Sequence, residues 1–266
     1  MYRENGTEKF SLSQVPKRKI LAAAAGITVL IVFAFAYLKI NPVTAIVSVP
    51  EFISFFARNF LPPDFKNTMS YLPLIIETIM FAVVGTYISA ALAFIFGLLL
   101  CEKTNSIAWL RFAVRFIISF LRNVPVLVWA SLFVYIFGIG NMVGLIALVV
   151  ATLGFLSRSY AESMNEIAGR ELEALKACGG SYLQILFHGL IPEFIPSWLN
   201  WTLFSLEINI RASAILGMVG AGGIGIMIQT NIRLFKYHEA LSLIIILVAM
   251  VLLTEFGTNK LRKLIR

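Results

Sequence analysis

Apolar residues run almost unbroken from Ile20 to Leu38, Leu72 to Leu100, Val124 to Ile139, Met142 to Ser157, Phe194 to Leu216 and Leu241 to Phe256, with polar and charged residues gathered between them. A helix needs about 20 apolar residues to cross a hydrocarbon core of roughly 30 Å, and these runs reach or approach that length. The pattern predicts an all-α, polytopic membrane protein with about six transmembrane helices. The third and fourth runs are short and are parted only by Gly138, Ile139, Gly140 and Asn141, which predicts a tight hairpin, because glycine frees the chain to reverse. The stretch from Trp109 to Phe120 is apolar but carries Arg111 and Arg115, so it is expected to lie along the membrane interface and lead into the third span. Between Lys39 and Tyr71, Pro42, Pro50, Pro62 and Pro63 stand among Phe52, Phe55 and Phe56, which reads as an outer connector touching the interface.

The polar segment from residue 158 to 192 has a different rhythm. Glu162, Glu166, Arg170 and Glu173 recur at helical spacing, and Met164, Ala168, Leu172 and Leu175 form a second, apolar stripe, so an amphipathic helix is expected. Gly179 and Gly180 should end it. A second helical stretch is expected from Ser181 to Leu190, and Pro192 suits the first turn of the next crossing, where its missing N–H costs nothing. The resulting division is a tail at 1–19, a first helix with outer loop at 20–71, a transmembrane domain at 72–257 containing the loop 158–192, and a basic tail at 258–266.

Composition agrees with this picture. Of the 266 residues, 59% are hydrophobic and 14% charged, and a mean hydropathy of +0.87 excludes a water-soluble globular domain. Lys17, Arg18 and Lys19, then Lys103, Arg111, Arg115 and Arg122, then Arg158, Arg170 and Lys176, then Lys260, Arg262, Lys263 and Arg266 fall on one side of the predicted membrane; Lys39, Arg58, Lys66, Arg233 and Lys236 fall on the other. Positive residues are retained in the cytoplasm, so both termini are expected there. This asymmetry accounts for the net charge of +8 without a nucleic-acid partner. The first apolar run also imitates a secretory signal, with Ala34, Phe35 and Ala36 as its cleavage site, but it is long for a signal core.

Candidate chemistry is sparse. Cys101 and Cys178 fall on the cytoplasmic side, where thiols stay reduced. His188 and His238 fall on opposite sides and offer no metal-ligand cluster. Gly220, Ala221, Gly222, Gly223, Ile224 and Gly225 satisfy the dinucleotide-binding pattern, yet follow an apolar span instead of a strand, and no Walker A pattern occurs. No cofactor and no catalysis by this chain are expected. Clustered glycines at a span's end can break a helix, let backbones approach or supply a hinge; Gly217, Gly220, Gly222, Gly223 and Gly225 read as a bent gate element. Glu207 and Arg211, four residues apart in an apolar span, are expected to pair, and Arg211 with Asn209 are candidates to line a path for an anion. Glu77, Arg122 and Asn123 are weaker candidates, Arg122 reading most simply as a cytoplasmic anchor.

The spacing of Glu173, Ala174, Gly179 and Pro192 resembles the docking loop of permease subunits of ATP-binding cassette (ABC) importers. Leu175, Gly189 and Ile191 depart from the general motif. Further blocks are similar to the phosphonate-type branch of these permeases: Leu61 to Phe65, Arg122 to Pro125 with Trp129 and Ala130, and Glu207 to Arg211 running on to Gly217 and Gly225. The resemblance implies the MetI-like architecture of type I importers. It also implies a dimer formed with a second copy or a paralogue, two ATPase subunits docked on Glu173, Ala174, Leu175, Gly179, Gly180 and Pro192, and an extracytoplasmic protein delivering a phosphonate, phosphate or phosphite. Alternatives are another small solute in the same transporter class, a carrier driven by ion gradients, which would be expected to show inverted repeats and midplane ion sites, or a membrane scaffold.

Overall fold

The computed structural model describes residues 17–39, 41–167 and 175–265. The chain divides into two units after Asn59. The first contains α1 (Lys17–Tyr37), α2 (Pro42–Val47) and α3 (Val49–Asn59). Residues 18–37 are long and apolar enough to cross a membrane. The stretch read as an outer connector is largely helical among the described residues: Asn41 caps α2 by accepting from the Val43 and Thr44 N–H groups, and Pro42 and Pro50 both lie in first turns, where no N–H is required.

The second unit is a helical bundle built on α4 (Leu72–Leu100), α5 (Ala108–Asn123), α6 (Val126–Phe137) and α7 (Asn141–Ile167). After residue 174 come α8 (Tyr182–Ile185), α9 (Ile191–Leu216), α10 (Ile224–Arg233) and α11 (Tyr237–Ile265). Among the described residues five helical segments are long and apolar enough to span, and six if α5 and α6 together make one. All the described secondary structure is helical, in agreement with the predicted fold class.

Small residues hold the bundle together. On α4, Thr78, Ala82, Gly85, Ser89, Ala93 and Gly97 are buried and form a stripe at helical spacing that lets neighbouring backbones close in, as expected where lipid supplies no hydrophobic drive between helices. A Cβ on Gly85 would lie 2.8 Å from Leu148 Cδ2, and one on Gly97 would lie 3.1 Å from Tyr160 Cβ; this register makes α4 and α7 parallel. Helix α9 runs antiparallel to both, with Asn209 facing Thr86 and Ser213 facing Thr78.

Two boundaries differ from the sequence reading. The separate helix expected before the third span is present as α5, which meets α6 at 89°. Pro125 has no N–H to donate within a helix, and it holds Val124 in an extended conformation with ψ 120°. Helix α6 has 12 residues, about 18 Å of rise, too short to cross alone. The fourth span continues past Ser157 to Ile167, so the first part of the expected cytoplasmic helix is an extension of the span. At the other end, residues 258–265, read as a basic tail, belong to α11. The expected hairpin is present, with Gly138 at φ 85° closing α6.

Candidate functional site

Residues 175–185 of the loop hold a helix-ending and a helix-starting motif placed back to back. Glu173 and Ala174, and with them Ala168, Arg170 and Leu172, lie outside the described residues. From Leu175 onward the geometry is defined: residues 175–177 are helical, the Gly179 N–H donates to the Lys176 carbonyl at 3.0 Å and the Gly180 N–H to the Leu175 carbonyl at 3.1 Å. These two bonds, with Gly179 at φ 81°, make a Schellman motif, which needs a residue tolerant of the left-handed region. Ser181 then opens α8 with a capping box: its N–H donates to Gln184 Oε1 at 2.8 Å, and its hydroxyl accepts from the Gln184 N–H at 3.4 Å. No slack residue separates the two motifs.

The second stretch does not stop at Leu190. A π turn at Leu186–Leu190 joins α8 to α9, and Pro192 lies in the first turn of α9. The extra residue of the π turn, in a segment containing Gly189, absorbs the register change without a break. The turn at Gly179 to Gln184 is therefore continuous with α9. The base of that helix is firmly packed: Phe194 meets Tyr160 edge-on with ring centroids 5.4 Å apart, the Tyr160 hydroxyl and Thr202 Oγ1 are 2.6 Å apart, and Trp201 Nε1 donates to Ser163 Oγ at 2.9 Å. Tyr182 also donates to the Thr104 carbonyl at 2.9 Å, tying the loop to the connection after α4.

At the opposite end of the bundle lies the glycine bend. A π turn at Gly217–Ala221 breaks at Gly220 (φ 100°), and Gly222 (φ 89°, ψ −172°) and Gly223 (φ 71°, ψ −168°) adopt conformations open essentially only to glycine. The chain then re-enters the bundle as α10. Both functions foreseen for the glycines, sharp reversal and close approach, occur together: a Cβ on Gly217 would lie 2.9 Å from Gly225 Cα. Sequence reasoning gave Glu77 too little weight here. Its Oε2 accepts from the Gly223 N–H at 3.2 Å, its Oε1 accepts from the Asn141 amide, and neighbouring Thr78 Oγ1 accepts from the Ile224 N–H at 2.8 Å. A carboxylate and a hydroxyl thus sit on the positive N-terminal end of α10. The available signal was a lone carboxylate within an apolar span.

The expected pair of Glu207 with Arg211 does not form. Glu207 Oε1 accepts from Arg262 Nη2 at 2.8 Å and from the Thr258 hydroxyl, and Arg211 is exposed, with no ion-pair partner among the described residues. Positions i and i+4 differ by about 40° around a helix; that rotation leaves Glu207 buried against α11 and turns Arg211 outward. Asn209 is also redirected. It bridges three helices, donating to Thr86 Oγ1 at 2.8 Å and accepting from Thr152 Oγ1 at 2.9 Å. Interhelical hydrogen bonds of this kind average about 0.6 kcal/mol, so Asn209→Ala should cost about 1 kcal/mol, read as a lowered Tm of the detergent-solubilised protein. Cys101 is buried and Cys178 exposed, both free. Among the described residues no group of His, Cys, Asp and Glu is arranged to hold a metal.

This combination, a small-residue bundle with a capped turn built onto one span, agrees with the comparisons. The family model of the binding-protein-dependent transport system inner membrane component matches residues 93–265. The chain belongs to this family. Among its relatives is the phosphite transport system permease protein PtxC of Stutzerimonas stutzeri, 28% identical over 88% of this chain and 85% of that protein. Another is the phosphate-import permease protein PhnE of Mycolicibacterium smegmatis, 29% identical over 84% of this chain and 42% of that protein. The fold is similar to that of the inward-facing MetNI methionine ABC transporter, with a TM-score of 0.66 and 24% identity, covering 76% of this chain and 99% of that one. The likeness to phosphonate-type permeases carried by the sequence is borne out by these relatives, and the MetI-type architecture by the structural neighbour. The chain is a multi-pass permease subunit of an ABC importer, and its relatives are transport subunits rather than enzymes.

A further feature lies midway along the bundle. The α5–α6 bend, α7 and α9 line an open pocket of about 250 Å³. Asn209, Thr152 and Ser205 lie along it with apolar neighbours, and Arg122 stands at its edge. Arg122, read as a simple anchor, is held there by Gly154, where a Cβ would lie 2.7 Å from the Arg122 backbone nitrogen. Trp129 Nε1 caps the preceding Leu121 carbonyl across the bend at 3.4 Å.

Proposed function

We propose that this permease carries a phosphorus oxyanion, a phosphonate or the related phosphite or phosphate, delivered by an extracytoplasmic binding protein. The observation that carries this reading is the match to a phosphite permease along 88% of the chain. Two ATPase subunits dock on a permease dimer through Glu173, Ala174, Leu175, Gly179, Gly180 and Pro192. Both termini face the cytoplasm, as the distribution of Lys and Arg favours. Closure of the ATPase dimer displaces the turn at Gly179; the π-linked α8 and α9 transmit that displacement to the spans, and the glycine bend at Gly217 to Gly225 opens and closes the path at the far end.

The test is uptake by proteoliposomes containing the permease, its ATPase and its binding protein. ATP-dependent uptake of labelled phosphonate or phosphite is expected, with loss of at least 95% when the nucleotide site of the ATPase is disabled. Uptake driven by a proton gradient without ATP would overturn the pump. Uptake of an amino acid in place of any phosphorus compound would overturn the substrate class and leave the pump standing.

A further inference from the structure

We infer that Tyr182 is a positioning residue that ties the turn at Gly179 to Gln184 to the end of α4, and that α4 carries displacement of that turn to the glycine bend as a second arm beside α9. This role rests on the ATPase-driven reading of the permease. The Tyr182 hydroxyl donates to the Thr104 carbonyl at 2.9 Å, and Thr104 belongs to the connection 101–107 that follows α4. That connection is stiff, because its side chains bond back to carbonyls that the last turn of a helix leaves without intrahelical partners. Thr104 Oγ1 donates to the Leu98 carbonyl, Asn105 Nδ2 donates to the Leu99 carbonyl at 2.8 Å, and Asn105 Oδ1 accepts from the Ile107 N–H at 3.0 Å. The Glu102 N–H donates to Asn165 Oδ1 of α7 at 3.0 Å. The end of α4 is therefore held both by the helix that leads into the loop and by the turn that leads out of it.

Helix α4 can transmit a push over its length. It is α-helical throughout, and its proline is confined to the first turn, so neither a π turn nor an interior proline supplies a kink. From Leu100 to Thr78 it rises about 33 Å. At that far end Thr78 Oγ1 accepts from the Ile224 N–H at 2.8 Å and Glu77 Oε2 accepts from the Gly223 N–H at 3.2 Å. Residues 217–222 thus lie between two attachments, the end of α9 at Leu216 on one side and α4, through Gly223 and Ile224, on the other. The shape of the bend depends on where α9 and α4 stand relative to each other, and a turn that gripped α9 alone would leave one attachment behind. The Tyr182 bond, to a neutral carbonyl, contributes about threefold to tenfold to an equilibrium, which is enough to bias α4 and weak enough to re-form in each cycle.

Uptake of labelled phosphite and hydrolysis of ATP are measured together, with the complete transporter in proteoliposomes, and their ratio is compared with wild type. Tyr182→Phe keeps the ring and removes only the hydroxyl; it is expected to lower the ratio at least threefold while ATP hydrolysis and ATPase binding stay within twofold. Asn105→Ala, which loosens the cap of α4 without touching the loop, is expected to do the same. Thr78→Val removes the acceptor at the far end of the same arm. If α4 is one arm, breaking it twice adds nothing, so the double variant Tyr182→Phe with Thr78→Val is expected to fall within twofold of the lower single variant. A ratio that falls less than threefold in Tyr182→Phe, or a double variant with a larger further loss, overturns the inference and leaves the pump standing. Release of the ATPase by Tyr182→Phe also overturns it, since Tyr182 would then act in docking. A wild type whose uptake needs no ATP overturns both the arm and the pump.

Discussion

Replacing Gly223 with valine should abolish uptake, by at least 50-fold, in a protein that still inserts and still binds its ATPase. At φ 71° and ψ −168° an L side chain is forced into a region reserved for glycine, at a cost of about 1–3 kcal/mol. The new Cβ would also lie 2.6 Å from Thr78 Oγ1, the atom that accepts from the Ile224 N–H. Relief requires the turn to move, and moving it withdraws the Gly223 N–H from Glu77, a bond to a charged group worth about 1.5–3 kcal/mol. Together these terms exceed about 3 kcal/mol, enough to depopulate the observed bend more than 100-fold. Glu77→Ala, which removes the acceptor but leaves the backbone free, should reduce uptake less severely. Gly26→Val is the control, because an added Cβ there meets nothing within 4 Å. Uptake by Gly223→Val within twofold of wild type would remove the glycine bend from the gating scheme.

Arg262→Ala should destabilise the fold far more than Arg211→Ala does. Glu207 is 9% exposed, and its carboxylate is held by Arg262 and Thr258. Removing one partner of a buried pair typically costs about 3–5 kcal/mol, because the remaining charge stays in a poor solvent. The Arg262 side chain is 24% exposed, so some water reaches the site and about 2–3 kcal/mol is expected. Arg211→Ala, at an exposed position, should change stability by less than about 0.5 kcal/mol. Thermal unfolding in detergent distinguishes the two. The charge swap Glu207→Arg with Arg262→Glu should recover part of the loss, whereas the same swap between Glu207 and Arg211 should not. Equal destabilisation by Arg211→Ala and Arg262→Ala would contradict the observed pairing.

Much of the fold was legible because the strongest signals are local. Helix α4 begins and ends at the residues predicted, Leu72 and Leu100, since an apolar run of that length has no other stable state in lipid. Gly179, Ser181 and Pro192 were legible for a related reason: a left-handed cap, a capping serine and a first-turn proline act within one turn of chain. The α5–α6 bend was half legible. Arg111 and Arg115 marked an interfacial helix, but the right angle depends on Pro125 acting with Gly154, which admits the backbone of Arg122. Partner choice was the least legible. Spacing alone favoured Arg211 for Glu207, and nothing local revealed that Arg262, 55 residues away, would be closer.

The order of residues along this chain determined its class, its spans and the capped turn at Gly179 to Gln184, because hydropathy and capping act over distances the backbone itself sets. Which polar side chains meet was decided by the rotation of each helix about its own axis when the small-residue faces packed. That rotation buried Asn209 between Thr86 and Thr152, brought Glu77 to the glycine bend and left Arg122 beside an apolar pocket. A rotation of a few tens of degrees changes every one of those neighbours while leaving the pattern of apolar and polar positions unaltered, so only the packed bundle could select among them.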